Sequence, residues 1–296
     1  MNRDLDPPAL SPLLAVPAAR RAAVLGSPIE HSLSPVLHAA AYQLLGLRWS
    51  YSAIECDEAH LPGVLMGLDE SFVGLSLTMP LKRAVLPLLD DVSELALAVG
   101  AANTVVFDGV GPFLRRRGEN TDVPGMVAAI KARRPDGVHS AVVLGAGGTA
   151  AAALVALREF GVDRSVVVVR DQARAGELRR CAERLGVTPT LVDWPGRAAL
   201  AEADMIISTV PAGATDDLAR QSPAGAGQLL FDVLYLPWPT PFAAASLAAG
   251  ATVIGGLELL VQQAARQVEL WTGRPAPVEA MRAAGEAAMA SRSVGS

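Results

Sequence analysis

The segment from Ala141 to Ala150 constrains the fold of this chain more than any other part of its sequence. An apolar run, Ala141-Val142-Val143-Leu144, leads directly into Gly145-Ala146-Gly147-Gly148-Thr149-Ala150 and an alanine-rich stretch. This Gly-x-Gly-x-x-Ala pattern between a strand and a helix is typical of a dinucleotide-binding turn. The alternative is a strand-to-helix turn that binds no ligand.

Each small residue of this turn has its own expected role. Gly145 permits the tight turn, Gly147 lets backbone amides approach a pyrophosphate, and Ala150 lets the helix lie close to the strand. The free amides and the dipole at the start of the helix favour an anion. We therefore expect the cofactor to contact Gly145, Ala146, Gly147, Gly148, Thr149 and Ala150.

The next predicted strand ends at Val169-Arg170-Asp171-Gln172-Ala173-Arg174, where an adenosine ribose would be recognised. An acidic side chain there would accept a hydrogen bond from the free 2′-hydroxyl of NAD. Arginines would instead pair with the 2′-phosphate of NADP. Arg170 and Arg174 favour NADP, Asp171 leaves NAD as an alternative, and two solvated arginines at the start of a surface helix remain a third interpretation.

Apolar runs alternate with segments of helical period along the whole chain. One series runs from Ala22 to Leu77, and a second follows Asn120. This alternation predicts an α/β fold, with an N-terminal α/β domain and a doubly wound Rossmann-type domain. The stretch from Gly109 to Asn120, with its glycines and three consecutive arginines, is predicted to be a turn-rich connection.

Composition narrows the classes of function. Hydrophobic residues make up 51% of the chain and aromatic residues only 4%, which fits helices packed on parallel strands. With a net charge of −5 and no basic stripe, a nucleic-acid partner is not expected. Cys56 and Cys181 lie far apart, which argues against a disulfide framework or a zinc site.

The same sequence lacks the features of a membrane or exported protein. No stretch approaches the ~20 apolar residues of a membrane span, and the segment before Pro17 does not resemble a signal peptide. We therefore expect a cytoplasmic protein that acts on a small molecule and binds no metal.

Two polar clusters in the first half of the chain are candidates for a substrate site. Ser32 and Ser34 precede a helix that is expected to start at Pro35, and its amides could hold a carboxylate. Taken alone, Ser34 is better explained as the N-cap of that helix. Thr78 and Lys82 follow an apolar strand, and a lysine in a cleft can transfer a proton, although most lysines are solvated.

Amide side chains and a carboxylate lie near the connection between the two series of strands and helices. Asn103 follows Gly100-Ala101-Ala102, and Asp122 ends the segment Gly118-Glu119-Asn120-Thr121-Asp122. Asp122 is also a natural N-cap for the helix that follows it, so a structural role stays open for this residue.

Taken together and in order, these segments resemble the shikimate dehydrogenase family, in its NADP-dependent type, over nearly the whole chain. The matching segments are Gly26–His38 (Gly-x-Pro-Ile-x-His-Ser-x-Ser-Pro-x-x-His), Thr78–Lys82 (Thr-x-Pro-x-Lys), Ala101–Val105, Gly118–Asp122 (Gly-x-Asn-Thr-Asp), Tyr235–Pro241 (Tyr-x-Pro-x-x-Thr-Pro) and the closing helix within Gly256–Gly273. The resemblance implies reversible NADPH-dependent reduction of 3-dehydroshikimate to shikimate, in chorismate and aromatic amino-acid biosynthesis. It also implies a discontinuous substrate domain, 1–121 with 256–296, and a cofactor domain, 122–255, with a cleft between them.

The resemblance further assigns roles to single residues. Ser32, Ser34 and Thr78 would hold the substrate carboxylate with Tyr235 nearby, while Lys82, Asn103, Asp122 and Gln263 would meet the ring hydroxyls. Lys82 and Asp122 would be the catalytic pair, and Gly256 would contact the cofactor.

The chain also departs from the family pattern. Ser76 stands where Asn is common, and Val169 and Asp171 replace residues of the usual Asn-Arg-Thr cofactor motif. An NAD-dependent quinate/shikimate dehydrogenase and a non-catalytic sensor of these compounds therefore stay open as alternatives, as does a homodimer.

Overall fold

The computed structural model describes residues 19–109 and 114–293, and these residues form two six-stranded sheets. The segment before Pro17 lies outside the described residues. Helices pack on both sheets, so the predicted α/β class is confirmed.

The first sheet is mixed. Its strands are β1 (Arg21–Gly26), β2 (Ser50–Glu55), β3 (Phe72–Leu77), β4 (Asp91–Val92), β5 (Thr104–Asp108) and β6 (Arg115–Glu119). Their order across the sheet is β2-β1-β3-β5-β6-β4. The strand β1 pairs in parallel with β2 and β3, whereas β5 runs antiparallel to β3 and β6.

The predicted loop character of the stretch from Gly109 to Asn120 is wrong for its second half. Arg115–Glu119 forms β6, and Gly118 within it is buried against Leu89 and Ala102. The arginines of this strand are partly exposed, so side-chain periodicity does not reveal it. Backbone hydrogen bonds to β5 form the strand instead.

Helices and turns connect these strands. They are α1 (Ser34–Leu44), α2 (Leu61–Met66), α3 (Leu81–Ala84), α4 (Glu94–Val99) and a 3-10 turn at Leu86–Leu88. Because α3 begins four residues after the end of β3, it presents its side chains at the carboxyl end of the sheet.

The second sheet is parallel throughout. Its strands are β7 (Ala141–Leu144), β8 (Val166–Val169), β9 (Thr190–Asp193), β10 (Met205–Ser208), β11 (Leu229–Asp232) and β12 (Thr252–Ile254), in the order β12-β11-β10-β7-β8-β9. Every residue of β7, β10 and β11 is buried, which explains their uninterrupted apolar sequences. The strand order reverses between β7 and β10, where doubly wound sheets bind ligands.

The helices of this half are α5 (Asp122–Arg133), α6 (Gly148–Glu159), α7 (Gly176–Leu185), α8 (Arg197–Glu202), α9 (Asp216–Gln221) and α10 (Pro241–Ala248), with a 3-10 turn at Gln172–Ala175. The alanines at 150–153 of α6 are completely buried, so this helix lies close to the sheet. The predicted Rossmann-type unit is confirmed.

The closing helices α11 (Gly256–Thr272) and α12 (Val278–Ser293) pack back against the first half. Val261, Ala264 and Val268 of α11 share one core with Leu33 and Leu37 at the start of α1. This packing supports a discontinuous first domain, 1–121 with 256–296, beside a second domain, 122–255, whose boundaries stay a prediction.

We expect Gly256→Ala to lower the free energy of unfolding by about 1–3 kcal/mol, measured by urea denaturation. An added Cβ would lie 2.1 Å from the Val233 carbonyl oxygen, and this backbone atom cannot rotate away. The control Gly63→Ala in α2 meets no atom within 4 Å and should raise stability by about 0.5–1 kcal/mol. Equal effects of the two substitutions would contradict the packing described for α11.

Candidate active site

A cavity of about 220 Å³ lies between the start of α1, the end of β3 and one face of α11. Six residues predicted to bind or act on a substrate line it, namely Ser32, Ser34, Thr78, Lys82, Tyr235 and Gln263. Its remaining lining is Val24, Pro28, Ile29, His31, Ser76, Leu77, Leu260, Ala264 and Gln267. The fold therefore gathers these polar side chains from both ends of the chain.

Ser34 is not the N-cap that its position before Pro35 suggested. The helix α1 begins at Ser34 itself, and the N-cap residue Leu33 makes no side-chain cap bond. The backbone amide of Ser34 donates instead to Oγ of Ser32 at 3.3 Å. Both hydroxyls therefore stand at the amino end of α1, where the dipole and the free amides attract an anion.

Lys82 and Asp122 form an ion pair between the two halves of the chain. Nζ of Lys82 donates to Oδ2 of Asp122 at 2.5 Å, and the two side chains are 19% and 3% exposed. Asp122 is the first residue of α5, whose N-cap is Thr121, so the N-cap interpretation of Asp122 is wrong. Its carboxylate lies at the positive end of the α5 dipole, which stabilises its charge.

Asn103 lies beneath the cavity and does not line it. It is 1% exposed, and its Nδ2 donates to Oδ1 of Asp122 and to Oε1 of Gln263, both at 2.9 Å. Because Oε1 of Gln263 accepts this bond, only the NH₂ group of Gln263 remains to donate into the cavity. Asn103 and Asp122 thus act on the cavity through Gln263 and Lys82.

The carboxylate of Asp122 also fixes the direction of the hydrogen bonds behind the cavity. A carboxylate only accepts, so Nδ2 of Asn103 must face it and Oδ1 of Asn103 must accept elsewhere. The Thr104 hydroxyl donates to that Oδ1 at 3.0 Å. With its proton used, Thr104 accepts from Nε2 of Gln267 at 3.0 Å.

The fixed donor and acceptor directions of these hydrogen bonds continue to the cavity wall. Since Nε2 of Gln267 donates to Thr104, its Oε1 accepts from the Ser76 hydroxyl at 3.0 Å. The Ser76 hydroxyl has no second proton, so in its short contact with Tyr51 the phenol is the donor. Ser76 therefore has only a lone pair to offer a ligand.

Sequence reasoning missed Tyr51 and Gln267. Gln267 lies four residues after Gln263 on α11 and hence on the same helix face, which is a signal that could have found it. Tyr51 lies on β2 and carries no comparable signal.

The ring of Tyr51 stacks on His38 at 3.9 Å with an interplanar angle of 11°. His38 is completely buried, and its Nδ1 lies 2.9 Å from the backbone oxygen of Ser34. Burial lowers the pKa of His38 to about 4, so the ring is neutral at pH 7. Burial also raises the pKa of Tyr51, which keeps its phenol protonated as a donor.

Tyr235 reaches the cavity from the loop after β11. Asp232 at the end of that strand is completely buried and accepts from the Leu234 amide at 3.2 Å and the Thr240 hydroxyl at 2.7 Å. These two bonds hold the loop on both sides of Tyr235. Burial raises the pKa of Tyr235, so its phenol remains able to donate.

A second, larger cavity of about 680 Å³ lies at the carboxyl ends of β7, β8 and β10. Its lining includes the predicted cofactor residues Gly145, Ala146, Gly147, Arg170 and Arg174, together with Arg83, Val168, Val169, Asp171, Trp194, Thr209, Val210 and Pro211. Gly145 has φ of +108° and a Cβ there would lie 2.6 Å from Oγ1 of Thr209, so only glycine fits this turn. Arg83, Trp194 and Thr209 were not found from the sequence.

The large cavity fits a 2′-phosphate better than a free ribose hydroxyl. Asp171 accepts from the backbone amide of Ala173 at 2.9 Å and caps the 3-10 turn that follows. Its carboxylate is therefore partly used by its own backbone, whereas Arg170 and Arg174 line the cavity.

A third cavity of about 200 Å³, called the connecting cavity below, shares lining residues with each of the other two. Thr78 and Lys82 line it together with the substrate cavity, and Arg83 lines it together with the large cavity. Gly148 and Thr149, at the start of α6, face this connecting cavity. Lys82 thus lines both the substrate cavity and the connecting cavity, next to Arg83, which lines the large cavity.

Two predicted cofactor residues do not line these cavities. Ala150 is completely buried in the core under α6, where its small side chain allows close packing. Gly256 packs against the backbone of Val233 and Leu234 at the start of α11.

The described ranges contain no group of three His, Cys, Asp or Glu side chains that could hold a metal ion. Within 19–109 and 114–293, no helix is both long and apolar enough to cross a membrane.

Comparison with protein families gives two matches. Residues 24–105 match the shikimate dehydrogenase substrate binding domain, and residues 256–284 match the shikimate 5′-dehydrogenase C-terminal domain. A shikimate dehydrogenase (NADP(+)) from Desulfitobacterium hafniense is 35% identical over 88% of this chain and 96% of its own length.

Solved structures of shikimate and quinate dehydrogenases are also similar to this chain. A shikimate 5-dehydrogenase from Mycobacterium fortuitum is 46% identical, with a TM-score of 0.78 over 91% of this chain and 98% of its own. One from Thermus thermophilus, in complex with NADP(H) and shikimate, is 37% identical with a TM-score of 0.78 over 91% and 99%. A quinate dehydrogenase from Corynebacterium glutamicum, in complex with NAD, is 29% identical with a TM-score of 0.79 over 91% and 99%. By its identity to these proteins over almost their full lengths, the chain belongs to the shikimate dehydrogenase family.

Proposed function

We propose that this chain catalyses the reversible NADPH-dependent reduction of 3-dehydroshikimate to shikimate, a step of chorismate and aromatic amino-acid biosynthesis. The observation that carries the proposal is the Lys82–Asp122 ion pair, whose lysine lines both the substrate cavity and the connecting cavity. The relative from Desulfitobacterium hafniense bears the name of this activity. Adding shikimate to the protein with NADP should produce the absorbance of the reduced cofactor, and no such change would refute the proposal.

The substrate cavity supports a cyclic carboxylate with hydroxyl groups. Ser32, Ser34 and Thr78 would hold the carboxylate near the amino end of α1, and the Tyr235 phenol would donate to it. Lys82 and the NH₂ group of Gln263 would donate to ring oxygens. Ser76 would accept from a ring hydroxyl, because its own proton is already used.

Lys82 would act on the oxygen that changes charge during the reaction. Its ammonium can stabilise a developing alkoxide and donate a proton to it. Asp122 would hold that ammonium in place and is itself held by Asn103.

The cofactor site accommodates NADP. The amides at the start of α6 would bind the pyrophosphate, and Arg170 with Arg174 would bind the 2′-phosphate. NADPH, when bound, supplies the hydride.

We infer that the protein acts in the cytoplasm on small molecules, without a nucleic-acid or membrane partner. A homodimer remains compatible with the sequence.

An NAD-dependent quinate/shikimate dehydrogenase is the nearest alternative, because the quinate dehydrogenase above shares the fold. The carboxylate of Asp171 already accepts a hydrogen bond from the Ala173 amide, which disfavours recognition of the free ribose hydroxyl of NAD. Steady-state rates with NAD, NADP, shikimate and quinate would separate the two, since the proposal requires the highest kcat/KM for NADP with shikimate. A non-catalytic sensor would show no turnover with any pair.

We expect Lys82→Ala to lower kcat by about 10²- to 10⁴-fold, because the group that transfers the proton is lost. Shikimate and NADP binding, measured by calorimetry, would show that the variant still folds. The exposed Lys131→Ala on α5 is the matched control and should keep the activity of the parent protein. Turnover of Lys82→Ala within a few fold of the parent would refute its catalytic role.

We expect the double substitution Arg170→Gln/Arg174→Gln to raise the Kd for NADP by about 10-fold or more, because charge-assisted bonds to the 2′-phosphate are lost. The Kd for NAD, which lacks that phosphate, should change less than about twofold. Equal weakening of both cofactors in fluorescence titrations would show that these arginines do not recognise the 2′-phosphate.

We expect Tyr51→Phe to raise the KM for shikimate by about 3- to 10-fold, the worth of one neutral hydrogen bond, with kcat within about twofold. The substitution keeps the ring on His38 but removes the proton donated to Ser76. The control is Tyr42→Phe, because the buried Tyr42 hydroxyl has no partner among the described residues and does not line the cavity. Identical kinetics for the two variants would argue against a role of Tyr51 in positioning Ser76.

A further inference from the structure

We propose that Arg83 binds the pyrophosphate of the dinucleotide from the side opposite the glycine turn and so links the two halves of the protein through the cofactor. This inference rests on the proposed function, because it assumes that the large cavity holds a dinucleotide.

The position of Arg83 carries the inference. It follows Lys82 on α3 and belongs to the first half of the chain, yet it lines the large cavity. Every other described residue of that lining lies between 145 and 211, in the second half. Arg83 is therefore the described side chain by which the first half reaches the cofactor cavity.

The surroundings of Arg83 lack a compensating anion. Its Nε is buried without a hydrogen-bond partner in the part of the chain that the structure describes, and no ion pair there includes it. Burial and the charge of Arg180 lower the pKa of Arg83, with a smaller effect from Arg184. Burial raises the pKa of the neighbouring Cys181, so that thiol offers no negative charge at neutral pH. A partly buried cation with these neighbours is stabilised by an anion from outside the chain.

The cavities indicate which phosphate Arg83 would meet. Arg170 and Arg174 line only the large cavity, near the end of β8 where the 2′-phosphate is expected. Arg83 lines the connecting cavity as well, together with Gly148 and Thr149 at the start of α6. A pyrophosphate on the α6 amides would therefore lie between that helix and the Arg83 guanidinium, which can bind two of its oxygens at once.

Calorimetric titration of Arg83→Gln with NADP and with NAD tests this assignment. We expect both Kd values to rise by the same factor, about 10-fold or more, because both cofactors carry the pyrophosphate. Arg174→Gln should raise the Kd for NADP alone. Arg180→Gln removes a nearby cation that is paired with Glu177 and does not line the cavity, so its Kd values should stay within about threefold of the parent protein.

A loss of folding stability would not explain a weaker cofactor affinity of Arg83→Gln. Removing one of three clustered cations relieves repulsion, so the melting temperature of Arg83→Gln without ligand should not fall below that of the parent. An unchanged Kd for both cofactors would overturn the inference, and a loss confined to NADP would assign Arg83 to the 2′-phosphate instead. If the parent protein bound neither cofactor, the proposed function itself would fail.

Discussion

The ion pair between Lys82 and Asp122 is the interaction on which the rest of this structure depends. It joins α3 of the first half to the start of α5 in the second, with both side chains largely withdrawn from water. Such a pair is stable only when further hydrogen bonds and dipoles compensate for the lost hydration. The amide of Asn103 and the amino end of α5 supply that compensation. One side of the Lys82 ammonium stays open to the cavities where substrate and cofactor would meet.

The charge of Asp122 also organises side chains that it does not touch. Because a carboxylate can only accept, each hydrogen bond from Asn103 to the cavity wall has one permitted direction. The last polar atom in this series of hydrogen bonds is Oγ of Ser76, which therefore presents a lone pair. That lone pair would select a hydroxyl rather than a carboxylate of the ligand. Ser32 and Ser34, which also line the cavity, stand beside the free amides of α1, where a carboxylate is favoured. The Ser76 oxygen and the amino end of α1 thus favour different groups of a ligand.

Features with strong local causes could be predicted from the sequence. The buried strands β7 and β10 are continuous apolar runs, and the glycine turn follows β7 directly, so the Rossmann-type unit was predictable. The strand β6 was not, because its partly exposed arginines conceal a strand that exists through backbone pairing. Both N-cap interpretations were wrong for a related reason. At Ser34 and Asp122 the helix starts at the polar residue itself, which frees the side chain for tertiary contacts. Tyr51 and Arg83 were missed because their roles depend on neighbours that are distant in sequence.

The central claim is that Lys82, held by Asp122, meets the reacting oxygen of the substrate on the side of the substrate cavity that faces the connecting cavity. A crystal structure of the complex with shikimate and NADP tests it most directly. The account predicts Nζ of Lys82 within about 2.6–3.2 Å of one ring oxygen, with the Asp122 contact retained and the nicotinamide against the carbon that bears that oxygen. A complex in which Nζ points to solvent, or in which the ring binds away from Lys82 while the nicotinamide occupies its cavity, would contradict the account.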